Sequence, residues 1–417
     1  MKRILPRFSM IPWHRQQGLQ QIQIVRAEGP YIYSRKQKIL DFTSGAMVVN
    51  LGHNNPKIKD GIFNYLDRGI SYVPSNFSTP MREYLSERLC QQSGIPAQKV
   101  LYGNGGADAN EMASFLSKEY HYYQGNPKSR ILSFQKSFHG GSTLGASLLS
   151  GDARREEKKK YYSLPLEPIM PNPEKIDGGK SSLQVIDKQL EDNVSAIVVE
   201  GSSGSAGCIL YPPHYLSKLS RMCQQRNILL ICDEVMSGFG RTGYFFAFQK
   251  HGLKPDIITC AKALTCGYSQ LSAVIISDKV SEVFEENPVM CGLTYSGHPL
   301  GCSIANSCLD LYLENESQVI RGVEDKKEVI KTRAENICID NKIVKDFRYN
   351  GLLSCLEFNL EEPELVDLSK KLVDHGVYNL RIRNNIFISP PLNTPVDILQ
   401  EGMDIMEDTI NNFQVKN

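Results

Sequence analysis

The sequence predicts an α/β protein: a large domain on a parallel sheet flanked by helices, with a smaller α+β domain drawn from both chain ends. Three observations carry that expectation. First, apolar runs of strand length recur through the middle of the chain, at KVLYGN (99–104), RILSFQ (130–135), VSAIVVEG (194–201), NILLICDEV (227–235), DIITCAK (256–262) and LSAVIIS (271–277). Continuous runs, rather than alternation, mark strands covered on both faces, as in a parallel sheet. Second, helix-like stretches separate several of them, notably ADANEMASFLSKEYHYY after the first and HYLSKLSRMCQQR after the third. Third, the first 45 or so residues and the chain beyond about residue 300 lack this rhythm. The helix-like 301–340 region and the closing NIFISPPLNTPVDILQEGMDIMEDTINNF suit a smaller domain to which the N-terminal segment is added. The expected division is 1–45 in the small domain, 46–300 as the large domain and 301–417 as the rest of the small one.

In chain order, the N-terminus MKRILPRFSMIPWHRQQ is basic, but Pro6 and Pro12 interrupt its short apolar bits, so it reads as mature protein and not a signal peptide. Trp13, the only tryptophan, either packs within this arm or reaches a pocket. Residues 151–182, charged first and then rich in Pro and Gly, read as a long solvated connection inside the large domain. The 417 residues suffice for roughly two or three domains. A net charge of +1 argues against a broad nucleic-acid or anionic-membrane surface, and no apolar run approaches the roughly 18 residues of a membrane span. The 11 cysteines include no CxxC pair and several lie in apolar strands, which points to buried thiols in a reduced cytoplasm rather than disulfides or a metal site.

Ligands of open parallel sheets bind beyond the carboxyl ends of the strands, and the distinctive residues of this chain fall there. Asp233 closes ILLICDEV; alone it reads equally as a cap or a surface acid, but a carboxylate carried inward needs a positive partner. Lys262 closes DIITCAK; it either snorkels to solvent or, if buried, becomes a neutral amine able to form a Schiff base. YGNGGADANE (102–111) is a glycine turn between strand and helix whose free N–H groups suit a phosphate. SFHGGSTLG (137–145) presents Phe138 and His139 where a ring stacks, although aromatics at strand ends are more often core. Together these ask for a phosphate, an aldehyde and an aromatic ring with a basic nitrogen. Pyridoxal 5'-phosphate combines all three, and its pyridinium is a cation for Asp233.

These motifs resemble the class III aminotransferases, among the fold-type I pyridoxal-phosphate enzymes. The resemblance rests on DEVMSGFGRTG (233–243), PDIITCAKA (255–263), LTYSGHPL (293–300), NGGADANE (104–111), NLGH (50–53) and PPL (390–392), in order along most of the chain. It implies a mostly parallel seven-stranded sheet and a homodimer with active sites shared across the interface. It implies Lys262 as the Schiff-base lysine that also moves the proton, and Asp233 on the pyridine nitrogen. Val235 and Phe138 take the ring faces, and the turn of Gly105, Gly106 and Ala107 takes the phosphate. Thr294 reaches the phosphate of the neighbouring subunit. His139 supports the loop, Arg241 ties down the glycine-rich turn, and Glu200 is either a direct cofactor contact or a structural acid behind it.

Two positions depart from the pattern E-P-x-x-G-E-x-G common among relatives. Here the stretch is EGSSGSAG, so Gly201 stands for the proline and Ser205 for the second glutamate. That glutamate pairs with a switching arginine in ornithine- and aminobutyrate-type members. Its absence argues against those specificities, and the wording of the other motifs is closer to the ω-amino acid–pyruvate and taurine–pyruvate branch. The implied reaction moves an amino group from an amine or ω-amino acid to pyruvate or 2-oxoglutarate. An isomerase, aminomutase or racemase of the same family is the alternative, and a non-catalytic relative a third. Candidate substrate residues are Met47, where relatives often carry a large aromatic, Tyr72 at the entrance, and Arg381 or Arg383, whose guanidinium suits bidentate capture of a carboxylate.

Overall fold

The structure, a computed structural model, describes residues 9–13, 21–162, 167–314 and 318–415. They form two compact units: one lies within Met1–Asn55, Asp325–Phe347 and Cys355–Asn417, the other within Pro56–Glu324 and Arg348–Ser354.

The second unit is built on a seven-stranded sheet. Its spatial order is Ala97–Gly103, Ser272–Ser277, Ile257–Cys260, Leu229–Asp233, Val194–Glu200, Arg130–Phe134, Ile169–Met170. Five strands are mutually parallel, from Ile257–Cys260 to Ile169–Met170. Ser272–Ser277 runs antiparallel to both its neighbours. The chain between Cys260 and Ser272 holds only a three-residue 3-10 turn, Lys262–Leu264. That is too short for the helical crossover a parallel pair needs, so the strand returns antiparallel. Val194–Glu200 and Leu229–Asp233 are buried along their whole lengths, which accounts for their unbroken apolar runs.

Register is what builds the site. Glu200 lies opposite Asp233, and Asp233 opposite Thr259, at the carboxyl ends of three adjacent strands. The helix Gly106–Tyr123 packs over the sheet through Ala109, Met112, Ala113, Leu116 and Tyr120, an i, i+3, i+4 face set against Ala196, Val198, Ile231 and Ile257 among others. Truncating the fully buried Leu116 to alanine there costs about 2–5 kcal/mol.

The 151–182 stretch carries regular elements. It contains a helix, Ala153–Tyr162, and the edge strand Ile169–Met170 before the helix Lys180–Gln189 begins. The run of Glu and Lys that reads as a solvated charge block is also a run of good helix formers, and Lys160 pairs with Glu157 one turn back at 2.6 Å.

In the first unit, Ile24–Glu28, Tyr31–Ser34 and Lys38–Asp41 form an antiparallel meander, and Val377–Tyr378 adds to it in parallel. Both chain ends thus share one sheet. The helices Glu362–Asp374 and Val396–Asn411 cover this unit, and within it Asn385–Ile388 pairs antiparallel with Arg381–Ile382. Among the described residues, no helix is long and apolar enough to cross a membrane.

Candidate active site

The acid pair that closes ILLICDEV splits into two environments. Asp233 is 4% exposed. Its Oδ2 accepts from Asn110 Nδ2 and from His139 Nδ1, each at 2.7 Å, and its Oδ1 accepts the Val235 amide at 2.9 Å. Burial alone would lower the His139 imidazole, but the hydrogen bond and charge of Asp233 overcome it and raise it above its ordinary value. Glu234, the next residue, is fully buried and meets neutral donors: the Ser237 hydroxyl at 2.7 Å and the Phe248 amide at 2.8 Å. Burial pushes its carboxyl up to about 7. A Cβ at Gly201 would overlap this carboxylate, so glycine in place of the usual proline leaves room for a buried acid.

Lys262 lies three residues beyond Thr259, at the start of the 3-10 turn, with φ +49. The left-handed conformation costs a residue with a Cβ roughly 1–2 kcal/mol, and such strain concentrates at functional sites. Burial lowers the basicity of the Lys262 amine, while the negative charges of Asp233 and Glu200 work against that. Glu200, raised above the usual carboxylate range by burial, accepts the Phe138 amide at 3.1 Å and the Ser205 hydroxyl on Oε1. Its Oε2 has no partner among the described residues, nor has His139 Nε2. Two buried polar atoms, one on each of two residues that act on or brace Asp233 and its neighbourhood, therefore stand unmatched, which in a native site calls for a ligand or a water.

The glycine turn 104–107 is organised by Asp108, whose carboxylate accepts the amides of Asn104 at 3.1 Å and Gly105 at 3.0 Å. The Gly105 amide is thereby committed to the turn. The next two, Gly106 and Ala107, are first-turn amides with no intrahelical acceptor. A Cβ added at Gly106 would come within 2.7 Å of Val235 Cγ1, so the helix start and the residue following the Asp233–Glu234 pair meet at a distance only glycine permits.

Asp233, Lys262, Glu200, His139, Phe138, Val235 and the 105–107 turn are thus drawn to one end of one sheet. Thr294 is exposed, beside Tyr295, whose ring meets Tyr72 edge-on at 6.0 Å; Tyr72 is itself exposed. Arg241 is fully buried and donates to the Leu352 carbonyl at 3.2 Å, a tie of the expected kind. The remaining substrate candidates belong to the other unit. Met47 is buried at φ +55, Arg381 pairs with Glu362 at 3.7 Å, and Arg383 is exposed at a left-handed turn position with φ +53. Sequence reasoning passed over Asn110 and Thr259. The available signal was a hydroxyl inside an otherwise apolar strand, IITC, which demands a buried partner.

Residues 13–410 match the family model for class III aminotransferases. The chain belongs to the class III aminotransferases. This aminotransferase is 30% identical over 393 residues to a succinylornithine transaminase of Photorhabdus laumondii, covering 93% of each chain. It is 30% identical over 378 residues to an ornithine aminotransferase of Oceanobacillus iheyensis, covering 89% of each. Among solved structures it is similar to a taurine:2-oxoglutarate aminotransferase of Bifidobacterium kashiwanohense in complex with pyridoxal phosphate and glutamate, with a TM-score of 0.90, 31% identity and 98% and 97% of the two chains covered. It is also similar to a pyridoxal-phosphate-bound amine transaminase of an uncultivated Pseudomonas species, with a TM-score of 0.91, 25% identity and 98% and 99% covered. The activity of this class III aminotransferase is amino-group transfer dependent on pyridoxal 5'-phosphate.

Proposed function

We propose that Lys262 and Asp233 are the catalytic residues of this aminotransferase, that its donors are amines or ω-amino acids, and that its acceptors are 2-oxo acids, pyruvate or 2-oxoglutarate. One observation carries the assignment: the buried Lys262 amine lies within electrostatic reach of Asp233 and Glu200, where three parallel strands end in register.

The residues fit pyridoxal 5'-phosphate. Two first-turn amides and the helix dipole suit its phosphate, a buried carboxylate its ring nitrogen, and a buried amine its aldehyde. When bound, the cofactor supplies a carbonyl for amine exchange and a protonated ring that withdraws electrons from the carbon losing its proton. The protein's residues do the rest. Lys262, favoured as the neutral amine by burial, would take that proton and return it across the intervening nitrogen, at the cofactor's former aldehyde carbon. Asp233, turned by Asn110, His139 and Val235, faces the ring nitrogen. Gly106 and Ala107 hold the phosphate, with Gly105 and Asp108 fixing the turn. Phe138 and Val235 would flank the ring, His139 braces Asp233, and Glu200 keeps an open Oε2 within electrostatic reach of Lys262.

For the substrate, the relatives point two ways, to ornithine derivatives and to taurine or simple amines. Ser205 favours the second. It places a hydroxyl, bonded to Glu200, where the ornithine-type pattern places a carboxylate for a switching arginine. Arg381 or Arg383 is the candidate for a substrate carboxylate, and Met47 and Tyr72 are assigned to the pocket and its entrance. The test is a donor panel of taurine, β-alanine, a simple aralkyl amine, ornithine and N-acetylornithine, each with pyruvate and with 2-oxoglutarate. Fastest turnover with an ornithine-type donor would overturn the substrate reading. Loss of the bound cofactor's absorbance band in Lys262→Ala is required by the catalytic one.

We further propose a homodimer in which Thr294 serves the partner's phosphate. The exposure of Thr294 together with Leu293, Tyr295, Tyr72 and Phe77 supports this; light scattering that returns a monomer mass refutes it. The 11 free cysteines support a reducing compartment, the cytoplasm.

A further inference from the structure

We propose that Asn110 and Thr259 are positioning residues that leave the Asp233 carboxylate a single open lone pair, on Oδ1, and so fix the point at which the cofactor's ring nitrogen is held. The inference rests on the assignment of Asp233 to that nitrogen.

Asn110 sits in the second turn of the helix Gly106–Tyr123 and is 2% exposed, while Thr259 on its strand has no exposed surface. The Asn110 amide makes three short hydrogen bonds. Nδ2 donates to Asp233 Oδ2 at 2.7 Å and to the His139 carbonyl at 2.8 Å, and Oδ1 accepts from the Thr259 hydroxyl at 2.7 Å. Only one orientation of the amide satisfies all three. Exchanging its nitrogen and oxygen would set an oxygen against both a carboxylate and a carbonyl, two unmatched contacts in a buried site. Thr259 is the register partner of Asp233, and its carbonyl also accepts the Glu234 amide at 2.8 Å. Helix and strand are therefore locked together around the acid.

Lone-pair accounting gives this lock its consequence. A carboxylate offers about four acceptor sites, two on each oxygen. On Asp233, Asn110 and His139 fill both sites of Oδ2, and the Val235 amide fills one on Oδ1. One remains. Without Asn110 a second opens on Oδ2, and the ring nitrogen has two competing partners in different directions. Thr259 acts one bond further out: without its hydroxyl the amide loses the donor that holds Oδ1 toward the strand.

The test measures affinity rather than activity. The apoenzyme is titrated with pyridoxal 5'-phosphate and with the carbocyclic analogue in which C–H replaces the ring nitrogen. The analogue keeps the phosphate and the aldehyde but cannot hydrogen-bond to Asp233. The ratio of the two dissociation constants isolates the Asp233 contact, since a general loosening of the fold weakens both ligands alike. We expect the wild-type preference for the natural cofactor to fall about tenfold in Asn110→Ala and by a smaller but measurable factor in Thr259→Val, and to return in Thr259→Ser, which restores the hydroxyl. A preference that stays at the wild-type value in both Asn110→Ala and Thr259→Val overturns the proposal; if Asn110→Ala does not fold, the Thr259 pair decides alone. A wild-type protein with no preference refutes instead the assignment of Asp233 on which the proposal rests.

Discussion

Replacing Glu234 with glutamine removes a buried acid while keeping its hydrogen bonds, and the stability of that variant tests how the acid pair divides. The Phe248 amide continues to meet an oxygen, and the rotatable Ser237 hydroxyl turns to accept from the new amide. What changes is titration. Burial raises the Glu234 carboxyl from 4.5 to about 7, so between those values the folded protein holds a proton that the unfolded chain releases. The stability associated with the protonated acid is complete below about pH 4.5 and is lost as pH rises to and through about 7. At about 1.4 kcal/mol per pH unit the loss amounts to roughly 3 kcal/mol. For a chain of 417 residues the unfolding entropy near the midpoint is about 0.9 kcal/mol per kelvin, which makes the loss worth roughly 3 °C. Calorimetry of the cofactor-free wild type and Glu234→Gln at pH 5 and pH 8 should therefore find the two within about 1 °C at the lower pH. At the higher pH the variant should melt about 2–3 °C above wild type. Cys232 and Cys260, whose thiols Glu234 also touches electrically, are raised by burial in either protein and stay protonated over this range. A gap that does not change with pH, or a wild type that outlasts the variant at pH 8, refutes the account of Glu234 as a buried neutral acid.

Lys262→Met should stabilise the cofactor-free protein at neutral pH, because burial depresses the lysine and charging it there is unfavourable. Since the folded value lies below the ordinary 10.5, stability of the wild type rises with pH up to about that point, so the variant's lead in urea midpoint should shrink as pH climbs toward 10.5. Gly106→Ala forces a methyl to within 2.7 Å of Val235 and should cost about 1–3 kcal/mol along with cofactor affinity. Gly105→Ala, whose Cβ meets nothing within 4 Å, should leave both nearly unchanged; equal losses in the two variants would contradict the assignment of the close approach to Gly106.

The parts of the fold that were legible in the sequence are those in which one local pattern decides. The unbroken runs of Val194–Glu200 and Leu229–Asp233 announce strands buried on both faces, and the turn into the helix Gly106–Tyr123 announces itself by glycines between a strand and a helix. Direction and pairing are different in kind. Nothing inside SAVIIS distinguishes a parallel from an antiparallel strand; the short return from Cys260 does. The helix Ala153–Tyr162 hid inside a charge block because its residues are equally at home in water and in a helix. The pairing of Arg381 with Glu362, and of Asn110 with Thr259 and Asp233, joins residues distant in sequence, so no spacing rule reaches them. Motif residues could be identified singly, but the polar lattice that turns them toward one another is a property of register.

The two departures at 201 and 205 are best understood through the carboxylates they face. Gly201 leaves room for Glu234, and Ser205 gives Glu200 one of its two donors. Restoring a glutamate by Ser205→Glu would therefore not recreate an ornithine-type site. The new carboxylate would face Glu200 in place of a hydroxyl, leaving the Phe138 amide as that acid's donor, and two acids that close and that buried cannot both be charged. The folded values of the pair would rise, so the variant should lose stability as pH increases. Ser205→Gln, of the same size and uncharged, separates this from overpacking. The two variants should melt together at pH 5, and the glutamate should fall progressively below the glutamine by pH 8. If they still coincide at pH 8, Glu200 and position 205 do not share one buried environment, and the use of Ser205 to argue substrate class fails with it.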